Sequence, residues 1–335
     1  MAVHCQFSVN EPRCKVFTPG SAICGTMRYE FDEETIVRKI SVSLEGFGRL
    51  QVNEGVGYGY NEDSVSDCNL EDIFYSEDII DFSAEGTPYL TGQYGTTFNF
   101  WLPENIPPSL HYCTNDLNLG IFCEITYFLR IRFHVGGFAE FQKTFEKEIK
   151  VAPSVMPRLP TLPMVYGEKK TFFHLCKRNN FIYLKACVKN SIINPGQRVQ
   201  ICYEVENQSS TTVQAIKIKL VEMYMFSLNE NDTIKFYVDV EGTDSKTAMI
   251  KSGDIKEYSL EIDIEPSLHS VDYSKIVSRN YAVIIIISLP IPYKNMMLEI
   301  PIQIGKCSRS QLDPHFYCVS NNGRESPPSY GESTT

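Results

Sequence analysis

The fold is decided by two Pro-Gly stretches, Phe17-Thr18-Pro19-Gly20 and Ile193-Asn194-Pro195-Gly196. The first leads into alternating Ile23, Gly25, Met27 and Tyr29, and the second leads into Val199, Ile201, Tyr203 and Val205. A Pro-Gly pair fits the centre of a type II turn, because Pro restrains the first φ angle and Gly supplies the positive second one. Apolar residues at every second position are typical of half-buried strands. Each stretch therefore predicts a turn that enters a strand, with Pro19, Gly20, Pro195 and Gly196 as the structural turn residues.

The two stretches are copies in one register. Pro19 and Pro195 lie 176 positions apart, because 195 minus 19 is 176. The same offset carries Ile40, Val42 and Leu44 onto Ile216, Ile218 and Leu220. A turn and two strands thus recur without an insertion, which indicates two related β domains.

Both halves continue through short alternating segments with turn signals between them, and neither contains a long stretch of helical periodicity. This pattern predicts an all-β chain of two tandem immunoglobulin-like β-sandwich domains. We place the N-terminal sandwich at residues 1–153, a proline-rich linker at 154–168, the C-terminal sandwich at 169–306 and a disordered tail at 307–335. The linker prolines suit a stiff polyproline II connector or a segment that docks in an aromatic groove, and a connector predicts few contacts between the domains.

Composition limits the class of protein. The 43% hydrophobic content of the 335 residues suits packed cores, and no apolar run approaches the roughly 18 residues that cross a bilayer. The longest run, residues 281–289, predicts a strand buried on both faces. The first residues lack the pattern of an export signal, so we expect a cytoplasmic protein whose 11 scattered cysteines are reduced.

The negative charge is concentrated in the first half. Residues 1–153 hold 11 Lys/Arg and 22 Asp/Glu, and residues 54–85 contain ten carboxylates without a single Lys or Arg. Such a surface repels phosphate, so nucleic acid is not an expected partner, nor is direct adhesion to anionic lipid. We interpret residues 54–85 as a solvated acidic loop between strands.

Catalytic, cofactor and metal motifs are missing from the sequence. Residues 55–59 contain three glycines but lack the full phosphate-loop pattern and are followed by acidic residues. Cys307, His315 and Cys318 have no fourth ligand nearby, so no zinc site is expected. We therefore predict a protein that is not an enzyme and has no cofactor or metal.

The tail contains Pro327-Pro328-Ser329-Tyr330, a PPxY sequence. WW domains bind such sequences because the two prolines favour polyproline II and lie in an aromatic groove, while the Tyr ring fills an adjacent pocket. Pro327, Pro328 and Tyr330 are accordingly the candidate WW-binding residues.

Together these features resemble the arrestin family, and within it the α-arrestin branch of arrestin-domain-containing proteins. The resemblance covers residues 7 to 305 or so. It rests on the two Pro-Gly turns with their paired strands, on residues 207–210 between strands, on residues 298–305 at the end of the second domain and on the PPxY tail.

The resemblance implies the arrestin fold and a non-enzymatic adaptor that links WW-domain HECT-type ubiquitin ligases to the cytoplasmic parts of membrane receptors or transporters. Such an adaptor would promote ubiquitination, endocytosis and protein transport, and would reach the plasma membrane and endosomes through its cargo. The alternative is an arrestin-fold structural subunit of an endosomal sorting coat, as in retromer, which needs no PPxY.

Overall fold

A computed structural model describes residues 3–54, 66–116, 119–136, 141–160, 162–172, 180–229, 232–247 and 249–307. These residues form 21 β-strands and no helix. No helix long and apolar enough to cross a membrane occurs in this part of the chain.

The first domain consists of two sheets. Its strands are β1 (Val3–Val9), β2 (Val16–Phe17), β3 (Ala22–Phe31), β4 (Thr35–Glu54), β5 (Ser66–Tyr89), β6 (Gly92–Trp101), β7 (Leu110–Asp116), β8 (Leu119–Val135) and β9 (Phe141–Val151). The smaller sheet has the order β1-β3-β6, and the larger has the order β2-β9-β8-β4-β5 with β7 also paired to β8.

The second domain repeats this plan. Its strands are β10 (Ser154–Val155), β11 (Met164–Thr171), β12 (Phe181–Val188), β13 (Ile192–Ile193), β14 (Arg198–Asn207), β15 (Ala215–Ser227), β16 (Thr233–Asp239), β17 (Ser245–Lys246), β18 (Ile255–Asp263), β19 (Val277–Ser288), β20 (Met296–Ile304) and β21 (Lys306–Cys307). One sheet has the order β11-β12-β14-β18, and the other has the order β13-β20-β19-β15-β16 with β17 beside β15.

The strands preserve the offset seen in the sequence. Strands β2 and β3 correspond to β13 and β14 at 176 positions, and β2 pairs in parallel with β9 as β13 does with β20. Each domain packs a large sheet on a small one around its own apolar cluster. The predicted all-β fold of two tandem sandwiches is confirmed.

Both Pro-Gly pairs occupy the centre of a tight turn. The N–H of Ser21 donates to the carbonyl of Thr18 at 3.0 Å, and that of Gln197 donates to Asn194 at 3.1 Å. Gly20 has a φ of 77° and Gly196 a φ of 80°. Glycine is needed here because this left-handed region strains residues that carry a Cβ.

We expect Gly196→Val to lower the free energy of unfolding by roughly 1 to 3 kcal/mol. A Cβ at Gly196 would meet nothing closer than Pro266 Cγ at 3.7 Å, so the cost comes from the backbone rather than from a clash. Gly196→Asn is the matched control, because Asn tolerates positive φ. Urea unfolding should show the smaller loss for Asn; equal losses would contradict the turn assignment.

The apolar run near residue 281 is a central strand covered on both faces. Tyr281, Val283 and Ile285 pack into the main cluster of the second domain. Ala282 and Ile284 pack on the opposite face with Val221. Burial on both sides explains why this strand lacks polar alternation.

Part of the segment interpreted as a linker, residues 154–168, forms strands that pair with strands of the second domain. Strand β10 pairs in parallel with β21, and β11 begins at Met164 and pairs along its length with β12. Only residues 156–163 lie between these strands. The tail with Pro327, Pro328 and Tyr330 lies outside the described residues, as do His315 and Cys318.

Candidate partner-binding surfaces

The two domains are joined by an aromatic contact. Tyr112 of β7 lies against Tyr224 and Phe226 of β15, with ring centroids 4.5 and 5.3 Å apart. Tyr224 is 4% exposed and Phe226 is fully buried within the cluster formed mainly by the first domain. We call these three residues the interdomain cluster. Burial, with Tyr224 beside it, raises the pKa of Tyr112 to about 12, so the phenol is neutral at physiological pH.

A carboxylate reinforces this contact from the first domain. Glu71 of β5 accepts a hydrogen bond from Ser274 Oγ at 2.7 Å and a bifurcated one from the backbone N–H of Lys275, whose nitrogen lies 3.0 Å from each carboxylate oxygen. Asn69 Nδ2 donates to the carbonyl of Ser227 at 3.0 Å. Hydrogen bonds to an ionised carboxylate are stronger than neutral ones, so Glu71 holds the 274–276 segment of the second domain against β5.

These contacts differ from the expectation of few contacts between the domains. They arise from β5, β7 and β15 rather than from the proline-rich segment, so the composition of that segment does not reveal them. From residue 66 onward the acidic stretch also differs from a solvated loop, because Ser66–Tyr89 forms a long strand paired with β4. Residues 55–65 of that stretch lie outside the described residues. An edge strand can carry many carboxylates, because one of its faces and one of its edges are open to water.

An ion pair between a buried aspartate and a half-exposed arginine anchors the residues after β10 to the second domain. The Asp272 side chain is fully buried, and its Oδ1 lies 3.1 Å from Arg158 Nη2. Its Oδ2 accepts hydrogen bonds from Gln303 Nε2 at 3.1 Å and from the backbone N of Met156 at 3.2 Å. Burial raises the pKa of Asp272, and Arg158 opposes that shift.

A second polar network lies behind the interdomain cluster. Arg279, 8% exposed, donates to the carbonyl of His269 at 2.7 Å and to Tyr224 Oη at 3.2 Å. Tyr281 and Tyr224 both donate to Glu222, at 2.9 and 3.1 Å. This network connects the aromatic contact with the backbone around residue 269.

His269 gives this network a pH dependence. Burial and the nearby Arg279 charge lower the pKa of His269 to about 4. The unfolded chain, with a pKa near 6.5, therefore binds more protons than the folded one between pH 4 and 6.5. Stability contributed by neutral His269 is full above that window and is lost as the pH falls through it.

We expect about 2 kcal/mol of unfolding free energy to be lost through His269 between pH 7 and pH 5. His269→Gln should remove this part of the pH dependence. His111→Gln, the same substitution at an exposed site, is the matched control. The free energy of unfolding is measured in urea at the two pH values. The same pH dependence for wild type and His269→Gln would contradict the assignment.

The smaller sheet of each domain presents an open, polar outer face. In the first domain it forms a depression of about 450 Å³ lined by His4, Arg28, Glu30 and Gln93. In the second domain a depression of about 420 Å³ is lined by Lys185, Cys202, Glu204 and Glu257. A third cleft of about 790 Å³ lies between the domains beside Glu71 and Lys275. Broad polar faces of this kind suit protein partners better than small ligands, which occupy enclosed, mostly apolar pockets.

Two family models match this architecture. Residues 5–156 match the model described as arrestin (or S-antigen), N-terminal domain. Residues 179–309 match arrestin (or S-antigen), C-terminal domain. The chain belongs to the arrestin family. This arrestin has the two tandem sandwiches that the resemblance implied. Membership of the family supports a general role as a trafficking adaptor that binds receptors or cargo.

The structure places the sequence-predicted residues of this arrestin in two groups. Pro19, Gly20, Pro195 and Gly196 form the turns described above, whereas the PPxY residues lie outside the described part. Sequence reasoning missed the interdomain cluster, Glu71 and Asp272. One signal was present, since Met223, Tyr224, Met225 and Phe226 are apolar at four successive positions, which departs from the apolar-polar alternation of a half-buried strand.

Proposed function

We propose that this arrestin is an adaptor of the α-arrestin type, which brings WW-domain HECT-type ubiquitin ligases to the cytoplasmic parts of membrane receptors or transporters. The observation that carries the proposal is the order of parts along the chain: two arrestin domains followed by Pro327-Pro328-Ser329-Tyr330. The domains supply surfaces for cargo, and the PPxY sequence supplies a ligand for the ligase.

The rest of the proposal follows from this division. The chain contributes binding rather than catalysis, and the ligase supplies the ubiquitin-transfer chemistry. The protein acts in the cytoplasm and reaches the plasma membrane and endosomes through its cargo, where it promotes ubiquitination, endocytosis and transport. Neither nucleic acid nor a cofactor takes part.

We expect an isolated WW domain to bind the full chain with a dissociation constant on the order of micromolar, about −8 kcal/mol. Tyr330→Ala should weaken binding about 10- to 150-fold, because burying the ring contributes roughly 1.5 to 3 kcal/mol. Calorimetry is the measurement. A matched control is Tyr317→Ala, which removes another tail tyrosine outside the PPxY sequence.

Equal binding by wild type and Tyr330→Ala would refute the assigned role of the tail. It would favour the alternative, a structural subunit of an endosomal sorting coat, which uses the sandwiches without a WW ligand.

A further inference from the structure

Two cysteines face each other across neighbouring strands of the second domain. Cys187 of β12 is directly opposite Cys202 of β14 in the antiparallel register. Both are free thiols; Cys187 is half-buried and Cys202 is exposed. Directly opposed residues project from the same face of a sheet, and here this is the outer face that carries the 420 Å³ depression.

The pairing geometry places the two Cα atoms within the range that disulfides span. Lys189 N donates to Gln200 O at 3.3 Å, so that pair is of the hydrogen-bonded type. Cys187 and Cys202 lie two positions further along each strand and are of the same type, for which the Cα atoms are about 5.5 Å apart. Disulfides span Cα separations of roughly 4.4 to 6.8 Å.

Nothing strong holds either thiol away from the other. Cys202 Sγ lies 3.8 Å from Ser259 Oγ, a long and weak contact that rotation about χ1 can break. Within the described part of the chain no group of three or more potential metal ligands occurs, so the pair is not part of a closed metal site there. Two opposed thiols on a solvent-facing sheet are therefore available to react with each other.

We propose that Cys187 and Cys202 form a reversible cross-strand disulfide when the protein meets a hydroperoxide. The more exposed Cys202 reacts first: its thiolate forms an S–O bond, the peroxide O–O bond breaks, and one water leaves. Cys187 then attacks the Cys202 sulfur, which forms the S–S bond and releases the sulfenic oxygen as a second water. Two thiols are oxidised by two electrons, and one hydrogen peroxide is reduced to two waters.

The Cys187–Cys202 disulfide is expected to be easily reduced. Cβ atoms in a hydrogen-bonded pair lie further apart than the roughly 3.5 to 4.5 Å that a disulfide prefers, so closing it strains the sheet. Strained and exposed disulfides are readily reduced again by small thiols. The outer face of β12 and β14 thus has two states, an open dithiol and a cross-linked pair.

The test is peptide mapping of the full chain after titration with hydrogen peroxide. Wild type should give a linked Cys187–Cys202 peptide that has lost two hydrogens, and dithiothreitol should restore both thiols. In Cys187→Ser, Cys202 should stop at a sulfenic acid that dimedone traps. In Cys202→Ser, Cys187 should have no partner and form no link.

Other exposed thiols are internal controls, since Cys68 is opposite Gln51 and Cys113 is opposite Phe122. A second probe, phenylarsine oxide, should be captured by the wild-type pair and lost in both single variants, since it needs two adjacent thiols. The proposal is overturned if Cys68 and Cys113 oxidise while no Cys187–Cys202 link forms, or if either single variant retains the arsenical at this site.

Discussion

Phe226→Ala is expected to destabilise the protein by roughly 3 to 5 kcal/mol and to separate the unfolding of the two domains. Phe226 belongs to the second domain by sequence, yet its ring is fully buried in the cluster of the first and stacks on Tyr224. Removal of the ring leaves a cavity where the domains meet. Apolar surface of both domains that packed against the ring then loses its contact. Calorimetry should show one transition for wild type and two for the variant.

Two variants serve as controls for this result. Phe82→Ala makes the same substitution at a side chain that is 68% exposed on β5, and should cost less than about 0.5 kcal/mol. Leu184→Ala, in the core of the second domain alone, should cost about 2 to 5 kcal/mol without adding a transition. If Phe226→Ala behaved like Phe82→Ala, the interdomain cluster would have no energetic role.

Tyr330→Ala is expected to abolish ubiquitination of the cargo while cargo still co-purifies with the protein. The physical reason is that the proposed function assigns the ligase to the tail and the cargo to the sandwiches, so loss of the tyrosine should remove one binding event and leave the other. A single PPxY sequence has no second copy to maintain ligase contact by avidity, so the loss should be nearly complete.

The converse variant is Gly196→Val, which strains a turn in the second domain. It should weaken cargo binding through that domain while the tail still binds a WW domain with unchanged affinity. If Gly196→Val and Tyr330→Ala both abolished cargo and WW binding together, the two activities would not be separable in the way proposed.

The duplicated turns made the fold predictable because they rest on local chemistry. A Pro-Gly pair restricts two successive φ angles wherever it occurs, and alternation marks which face of a strand is buried. The same offset of 176 positions then relates β2 and β3 to β13 and β14, so the recurring turn and strands correctly indicated a second related domain.

The contact between the domains was not predictable, because it depends on which strand faces come together in space. Glu71 is one of ten carboxylates in residues 54–85, and only its position opposite Ser274 and Lys275 distinguishes it. Asp272 is likewise an ordinary aspartate in sequence, and its burial beside Arg158 comes from strand pairing at β10 and β21. A single sequence shows periodicity and composition, whereas these contacts join residues more than 100 positions apart.

The central claim, that this arrestin joins cargo to a ubiquitin ligase, is tested most directly in cells whose only copy carries Tyr330→Ala. Ubiquitination and turnover of the membrane proteins that co-purify with it are measured beside wild type and the Tyr317→Ala control. The adaptor account predicts that both fall for Tyr330→Ala and stay normal for Tyr317→Ala. Unchanged cargo ubiquitination and turnover with Tyr330→Ala would contradict it.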